Sequence, residues 1–266
     1  MPSIQNSPIA DLTYRNYDGP LEAPLFRWWA IAKMSIRLST AVKGFWAWAI
    51  LSGFWYVILL IIFYFVDASP VPQTATQFYS TLVWKDQFEN AFAVSQIFLF
   101  ILALQIGAGT IANDNRANAL LVYLSKPCSK LDYVIGKWLG IFLPMALVSA
   151  IPTYLFYGFC VLSYRSHGFL SQDPWLVLRL LPMVLVPGVF YASVTIGISS
   201  LFRQGRLAGA AFAGLYFFTV FFTKAMQALY MGLASGQDAD GGSSNGQRVV
   251  QNLYYCAIDG IQDALA

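Results

Sequence analysis

The sequence predicts an all-α fold: a polytopic membrane helix bundle with an N-terminal interfacial amphipathic helix. Three observations carry this. The 266 residues are 58% hydrophobic and only 11% charged, with a mean hydropathy of +0.57. Soluble domains are about 25% charged, and a water-surrounded core would not hide this much apolar surface, so the bilayer must be the solvent. Five apolar runs each reach the roughly 20 residues that a helix needs to cross a bilayer. Finally, lysine and arginine concentrate in alternate connecting segments, as the positive-inside rule requires of a multi-spanning chain.

Residues 1–21 are polar, with Pro, Asn and Asp, and lack the apolar stretch of a cleaved signal peptide. The remainder, 22–266, reads as a single transmembrane domain. In 22–43, apolar Leu25, Trp28, Trp29, Ala32, Ile36 and Leu38 alternate with Arg27, Lys33, Arg37 and Lys43. That is the pattern of a basic amphipathic helix lying in the membrane interface. The alternative is a simple positive flank for the first span.

The first span is predicted over 45–66, with Trp46, Trp48, Trp55 and Tyr64 as aromatic anchors. An outer loop with SPVPQ follows. The second span is 91–112 and the third 138–162, the latter carrying Pro144 and Pro152. Proline inside a spanning helix frees backbone carbonyls and bends it. The fourth, 174–202, holds Pro182 and Pro187, and the fifth is 207–231 after a short turn with Arg203 and Arg206. The tail, 232–266, opens with a Gly/Ser/Asp linker. It is too polar to span and either re-enters the membrane or lies outside.

With the N-terminus in the cytoplasm, eleven basic residues fall on the inner side and three (Lys85, Arg165, Arg248) on the outer side. The bias orients the chain. It places the polar loop 111–137, IANDNRANALLVYLSKPCSKLDYVIGK, in the cytoplasm. This loop is too patterned for a connector. Asp114 and Arg116 sit two apart at a helix exit, where a charged pair orients the loop, grips a partner or satisfies helix ends. Leu120, Leu121 and Leu124 have helical spacing, suited to a partner's groove or to the protein's own inner surface. Pro127 disfavours helix at Lys126.

Much chemistry is missing from the sequence. No phosphate-binding GxxxxGK[ST] loop, GxSxG elbow or HExxH helix is present. Cys128, Cys160 and Cys256 have no metal-ligand or disulfide spacing, and the lone His167 sits in an outer loop. No carboxylate falls in the middle of a span, where ion-coupled carriers place one. The energy source is therefore expected in another protein. A net charge of +3 points to no nucleic-acid partner.

The loop resembles that of the permease subunits of type-2 ATP-binding-cassette (ABC) exporters. The matching positions are Asn113, Asp114, Arg116, Leu120, Tyr123, Leu124, Ser125, Lys126, Pro127, Tyr133, Gly136 and Lys137. Asn113 stands where an acidic residue is common. The resemblance implies a non-catalytic permease that forms the translocation pathway of an exporter. It implies a second permease copy, identical or related, surrounded by membrane lipid in a bacterial or archaeal inner membrane. It also implies a cytoplasmic ABC ATPase that binds ATP and Mg, with no cofactor in this chain. The ATPase would push on Asn113, Asp114, Arg116, Leu120, Leu121, Tyr123, Leu124, Ser125, Lys126 and Pro127. Family members have six spans with re-entrant helices before the last, and the tail here stands at that re-entrant region. The competing reading is a membrane anchor or assembly scaffold that recruits a cytoplasmic partner without transport. Small-residue pairs, Gly136/Gly140 and Gly205/Gly209, suit close helix packing within one subunit or at a homodimer seam.

Overall fold

The computed structural model describes residues 27–70, 77–79, 81–119, 129–164, 169–172 and 174–236. Among them all regular structure is helical. The helices are α1 (Arg27–Thr40), α2 (Phe45–Ser52), α3 (Phe54–Asp67), α4 (Trp84–Gly107), α5 (Ala112–Arg116), α6 (Lys130–Ser163), α7 (Phe169–Gln172), α8 (Leu176–Leu201) and α9 (Gly205–Gly236). Five stretches are long and apolar enough to cross a membrane: Phe45–Asp67, Trp84–Arg116, Lys130–Ser163, Leu176–Leu201 and Gly205–Met226. The expected helical membrane bundle is thus observed. The N-terminal segment and the tail beyond Gly236 lie outside the described residues.

Two boundaries differ from expectation for the same reason. The second span starts at Trp84, not Ala91, and the third at Lys130, not Trp138. Hydropathy marks where lipid begins, whereas backbone hydrogen bonding carries the helix past it. At α6 the start is set by a capping box. The Ser129 N–H donates to Asp132 Oδ2 at 3.0 Å, and the Asp132 N–H donates to Ser129 Oγ at 3.1 Å.

The first span is broken at Gly53 into α2 and α3. A Cβ there would lie 3.3 Å from Pro152 Cβ, so the break nests against the proline of α6. Ser95 Oγ of α4 donates to the Ser52 carbonyl at 2.7 Å, satisfying a group that the break exposes. Beyond it, the hydroxyls of Tyr56 and Thr153 meet at 2.8 Å.

Helix α1 does not present its apolar stripe to the bundle. Its buried residues are small: Ala32, Ser35 and Ser39. They seat on the Gly136/Gly140 ridge of α6. A Cβ on Gly136 would lie 2.7 Å from Ile31 Cβ and 2.8 Å from the Trp28 carbonyl, and one on Gly140 would overlap Ser35. Pro144 has no N–H to give the Gly140 carbonyl, four residues back, and Ser39 Oγ donates to that carbonyl at 3.3 Å. Trp29, Met34 and Leu38 remain about half exposed, at 45%, 52% and 54%, facing away from the bundle.

The buried residues form two clusters. One, nearer the 111–137 loop, includes Phe45, Leu99, Phe100, Ile106, Ile141, Tyr191 and Phe212. The other, at the far end, is aromatic and includes Phe63, Tyr79, Trp84, Phe156, Tyr164 and Phe169. There Asp67, ending α3, accepts hydrogen bonds from Tyr79 (2.7 Å) and Tyr164 (3.0 Å). Burial pushes both phenols up, Tyr164 to about 12 and Tyr79 further, so both stay protonated donors to the carboxylate at neutral pH.

Candidate functional site

The end of the bundle that carries loop 111–137 is built on close backbone contacts. A Cβ on Gly107 would lie 2.6 Å from Thr195 Oγ1, so α4 and α8 touch there. The chain then turns through Gly107–Ile111 into the short helix α5. Its first N–H groups have no cap of their own. Ser199 Oγ of α8 accepts from both the Ile111 and Ala112 N–H groups, each at 3.0 Å. A side chain 87 residues away in sequence therefore fixes where α5 begins. After α5 the chain turns at Asn118, with φ of 52°, a left-handed conformation that asparagine tolerates.

Asp114 faces inward from α5. Its Oδ2 lies 2.8 Å from Lys137 Nζ and accepts from the Tyr133 hydroxyl, also at 2.8 Å. Tyr133 and Lys137 are four apart on α6 and so share a face. The Lys137 ammonium lies 5.7 Å from the centre of the Tyr133 ring. Only 7% of the Lys137 side chain is exposed, against 21% of Asp114. The two ends of the loop, α5 leaving the second span and α6 entering the third, are thus joined by a charge-assisted contact.

Asp114 pairs across the loop base with Lys137, not with its neighbour Arg116. Residues two apart on a helix point in different directions, whereas α5 and α6 lie side by side. In the sequence alone, Lys137 reads as a positive-inside charge and a motif position. The pattern Tyr-x-x-Gly-Lys held the signal: a tyrosine and a lysine on one helical face at the membrane entry, opposite a motif carboxylate.

Asn113 and Arg116 lie elsewhere. Asn113 packs between Gly109 and Gly205; Cβ atoms there would lie 2.8 Å from its Nδ2 and 2.9 Å from its Oδ1. Arg116 is exposed and lines two open clefts, one of about 1060 Å³ with Arg206 and one of about 660 Å³ with Arg203. A smaller cavity of about 270 Å³ lies under α1, lined by Ser35, Ser39, Gln105, Asn113, Asp114 and Lys137. Its polar walls suit ordered water beside the ion pair. Leu120, Leu121, Tyr123, Leu124, Ser125, Lys126 and Pro127 lie outside the described residues.

Residues 29–258 match the family described as ABC-2 family transporter protein. The chain belongs to this family. The match runs from α1 through all five span-forming helices, so the ABC-2 assignment covers the whole bundle. A search of curated proteins returned no match. As an ABC-2 family protein with five span-capable helices, the chain is an integral membrane component of an ABC transporter. ABC-2 permeases are normally non-catalytic and work with an ABC ATPase. The Asp114–Lys137 contact lies at the base of the loop where the resemblance expects that ATPase to act.

Proposed function

We propose that this chain is the non-catalytic permease subunit of an ABC-2 exporter, driven by a separate cytoplasmic ATPase that docks on loop 111–137. The observation that carries this reading is the bridge from Asp114 to Lys137 and Tyr133. It gives the loop a rigid base. Force on a floppy loop is lost in its own rearrangement, whereas force on a clamped one moves the helices that hold it. Ser199 ties the same base to α8, so a push on the loop reaches the second, third and fourth spans together.

Asn113 and Arg116 face the cytoplasm in this reading, and Leu120, Leu121 and Leu124 fill a groove on the ATPase. Tyr123, Ser125, Lys126 and Pro127 belong to the same ATPase-facing surface in this reading. ATP and Mg bind the partner, not this chain. A second permease copy, identical or related, completes the pathway across a bacterial or archaeal inner membrane, with the N-terminus inside.

The test is co-expression with an ABC ATPase encoded beside this chain, followed by purification and ATPase assay in liposomes. We expect the ATPase to co-purify. Arg116→Ala and Leu124→Ala should leave both subunits folded but weaken their association, and should uncouple ATP hydrolysis from cargo-stimulated turnover. Unchanged association and turnover in both variants would reject the loop as the docking element. A stable complex whose spans never respond to nucleotide would instead identify a scaffold.

A further inference from the structure

Helix α1 rests on α6 through contacts that repeat every four residues. Ile31 meets Gly136, and Ser35 meets Gly140, four residues on along both helices. Ser39, a further four residues along α1, donates to the Gly140 carbonyl at 3.3 Å, which is long for a hydroxyl donor. Ser35 carries the same hydroxyl one turn earlier. It is 7% exposed, lines the cavity of about 270 Å³ under α1, and makes no hydrogen bond among the described residues. A buried hydroxyl left without a partner is costly. The fully covered residues of α1 are Ala32, Ser35 and Ser39, so the seat is flat and carries no long interlocking side chain.

We propose that α1 is a slide with two registers on α6, one helical turn apart. Advancing α1 along its own axis by four residues, about 6 Å, brings Ser35 to the Gly140 carbonyl and Ile31 to Gly140. The bond to the carbonyl is then remade by a like group. That carbonyl needs a side-chain donor in either register, because Pro144 offers it no N–H. Ile31 already fits a glycine notch in the present register, at Gly136. Packed interfaces switch between discrete arrangements, and a one-turn step of one element past another is one such switch. Residues 41–44, which join α1 to α2, are not helical, and the cavity lined by Leu38, Ser39 and Val42 leaves space at that end of α1. The slide deepens the coupling reading, since it gives a push at the base of α6 a helix to move, but its two registers need no ATPase to exist.

The experiment reads the position of α1 on α6 by double electron–electron resonance, with the purified full-length chain in lipid nanodiscs. Spin labels are placed at Lys33→Cys on α1 and Leu155→Cys on α6, both exposed positions. Cys128 and Cys256 become serine, and the buried Cys160 stays. Labelled chain is diluted with unlabelled chain, so that only distances within one chain are read. We expect two distances that differ by up to about 6 Å. Ser39→Ala removes the bond of the present register and should enrich the second distance about fivefold, the effect of one hydrogen bond. Ser35→Ala removes the bond of the advanced register and should deplete the second distance by a similar factor.

Opposite shifts are the signature, because losing a merely structural hydroxyl at either position would loosen α1 in the same sense. A single distance that neither serine variant changes would overturn the proposal. So would shifts of the same sign in the two variants, or a second distance that survives Ser35→Ala undiminished. With an ABC ATPase and trapped nucleotide, coupling predicts a redistribution between the two distances. Serine-dependent distances that ignore nucleotide would leave the slide standing and count against coupling alone. A nucleotide response without serine dependence would do the reverse.

Discussion

Asp114 and Lys137 are unequal partners. Lys137 is almost fully covered, while Asp114 retains some solvent and the Tyr133 hydroxyl. Removing one member of a buried ion pair is costly because the other charge is stranded. Asp114→Ala strands the better-buried charge and should destabilise the protein by about 3 kcal/mol. Lys137→Ala leaves Asp114 a donor and some water, so it should cost less. The double variant should be close to the worse single one, not to their sum. Thermal or denaturant unfolding in detergent would measure all three. Additive losses would mean that the two groups do not act as a pair. Of the sequence-derived site, Asn113, Asp114 and Arg116 were legible as a polar, charged helix exit, but the partner of Asp114 was not. Pairing depends on which helix lies alongside, and spacing along one chain does not report that.

At the scale of helices, the seat of α1 shows how a small-residue motif is resolved. Gly136 and Gly140 permit close approach, but not to any particular partner. Ala32, Ser35 and Ser39 supply a matching flat face, and the carbonyl freed by Pro144 gives Ser39 something to hold. Gly140→Val should therefore lift α1 from α6. Ser35→Cys, buried in the parent, gives a direct reading. It should resist thiol reagents with Gly140 intact and react readily when Gly140→Val is added. Equal reactivity in both backgrounds would remove α1 from this seat. The amphipathic character of 22–43 was visible in the sequence. Which of its faces meets the bundle was not, because the buried face is built from small residues that hydropathy scarcely registers.

Across the whole molecule, charge sets the orientation and aromatic packing sets the far end. We propose, from the positive bias of eleven to three, that the 111–137 loop and Arg203–Arg206 lie inside and Lys85 outside. Membrane-impermeant thiol reagents should label Lys85→Cys in intact cells and Gln204→Cys only after permeabilisation. The reverse pattern would invert the bundle and remove the ATPase-docking proposal. At the far end, Asp67 holds phenols from two separate segments, joining the first span to the end of α6 within an aromatic cluster. One end of the bundle is tied by an ion pair and the other by a carboxylate–tyrosine contact.

By itself, the sequence determined that the chain is helical, that five runs can cross a bilayer, and which connecting segments carry positive charge. These follow from transfer free energies summed over consecutive residues, so they need no knowledge of neighbours. Only the tertiary structure decided that Lys137 meets Asp114, that Ser199 caps α5, and that Ser39 answers the proline in α6. Each depends on how helices rotate and slide against one another, and that register is set by packing between segments far apart in the chain.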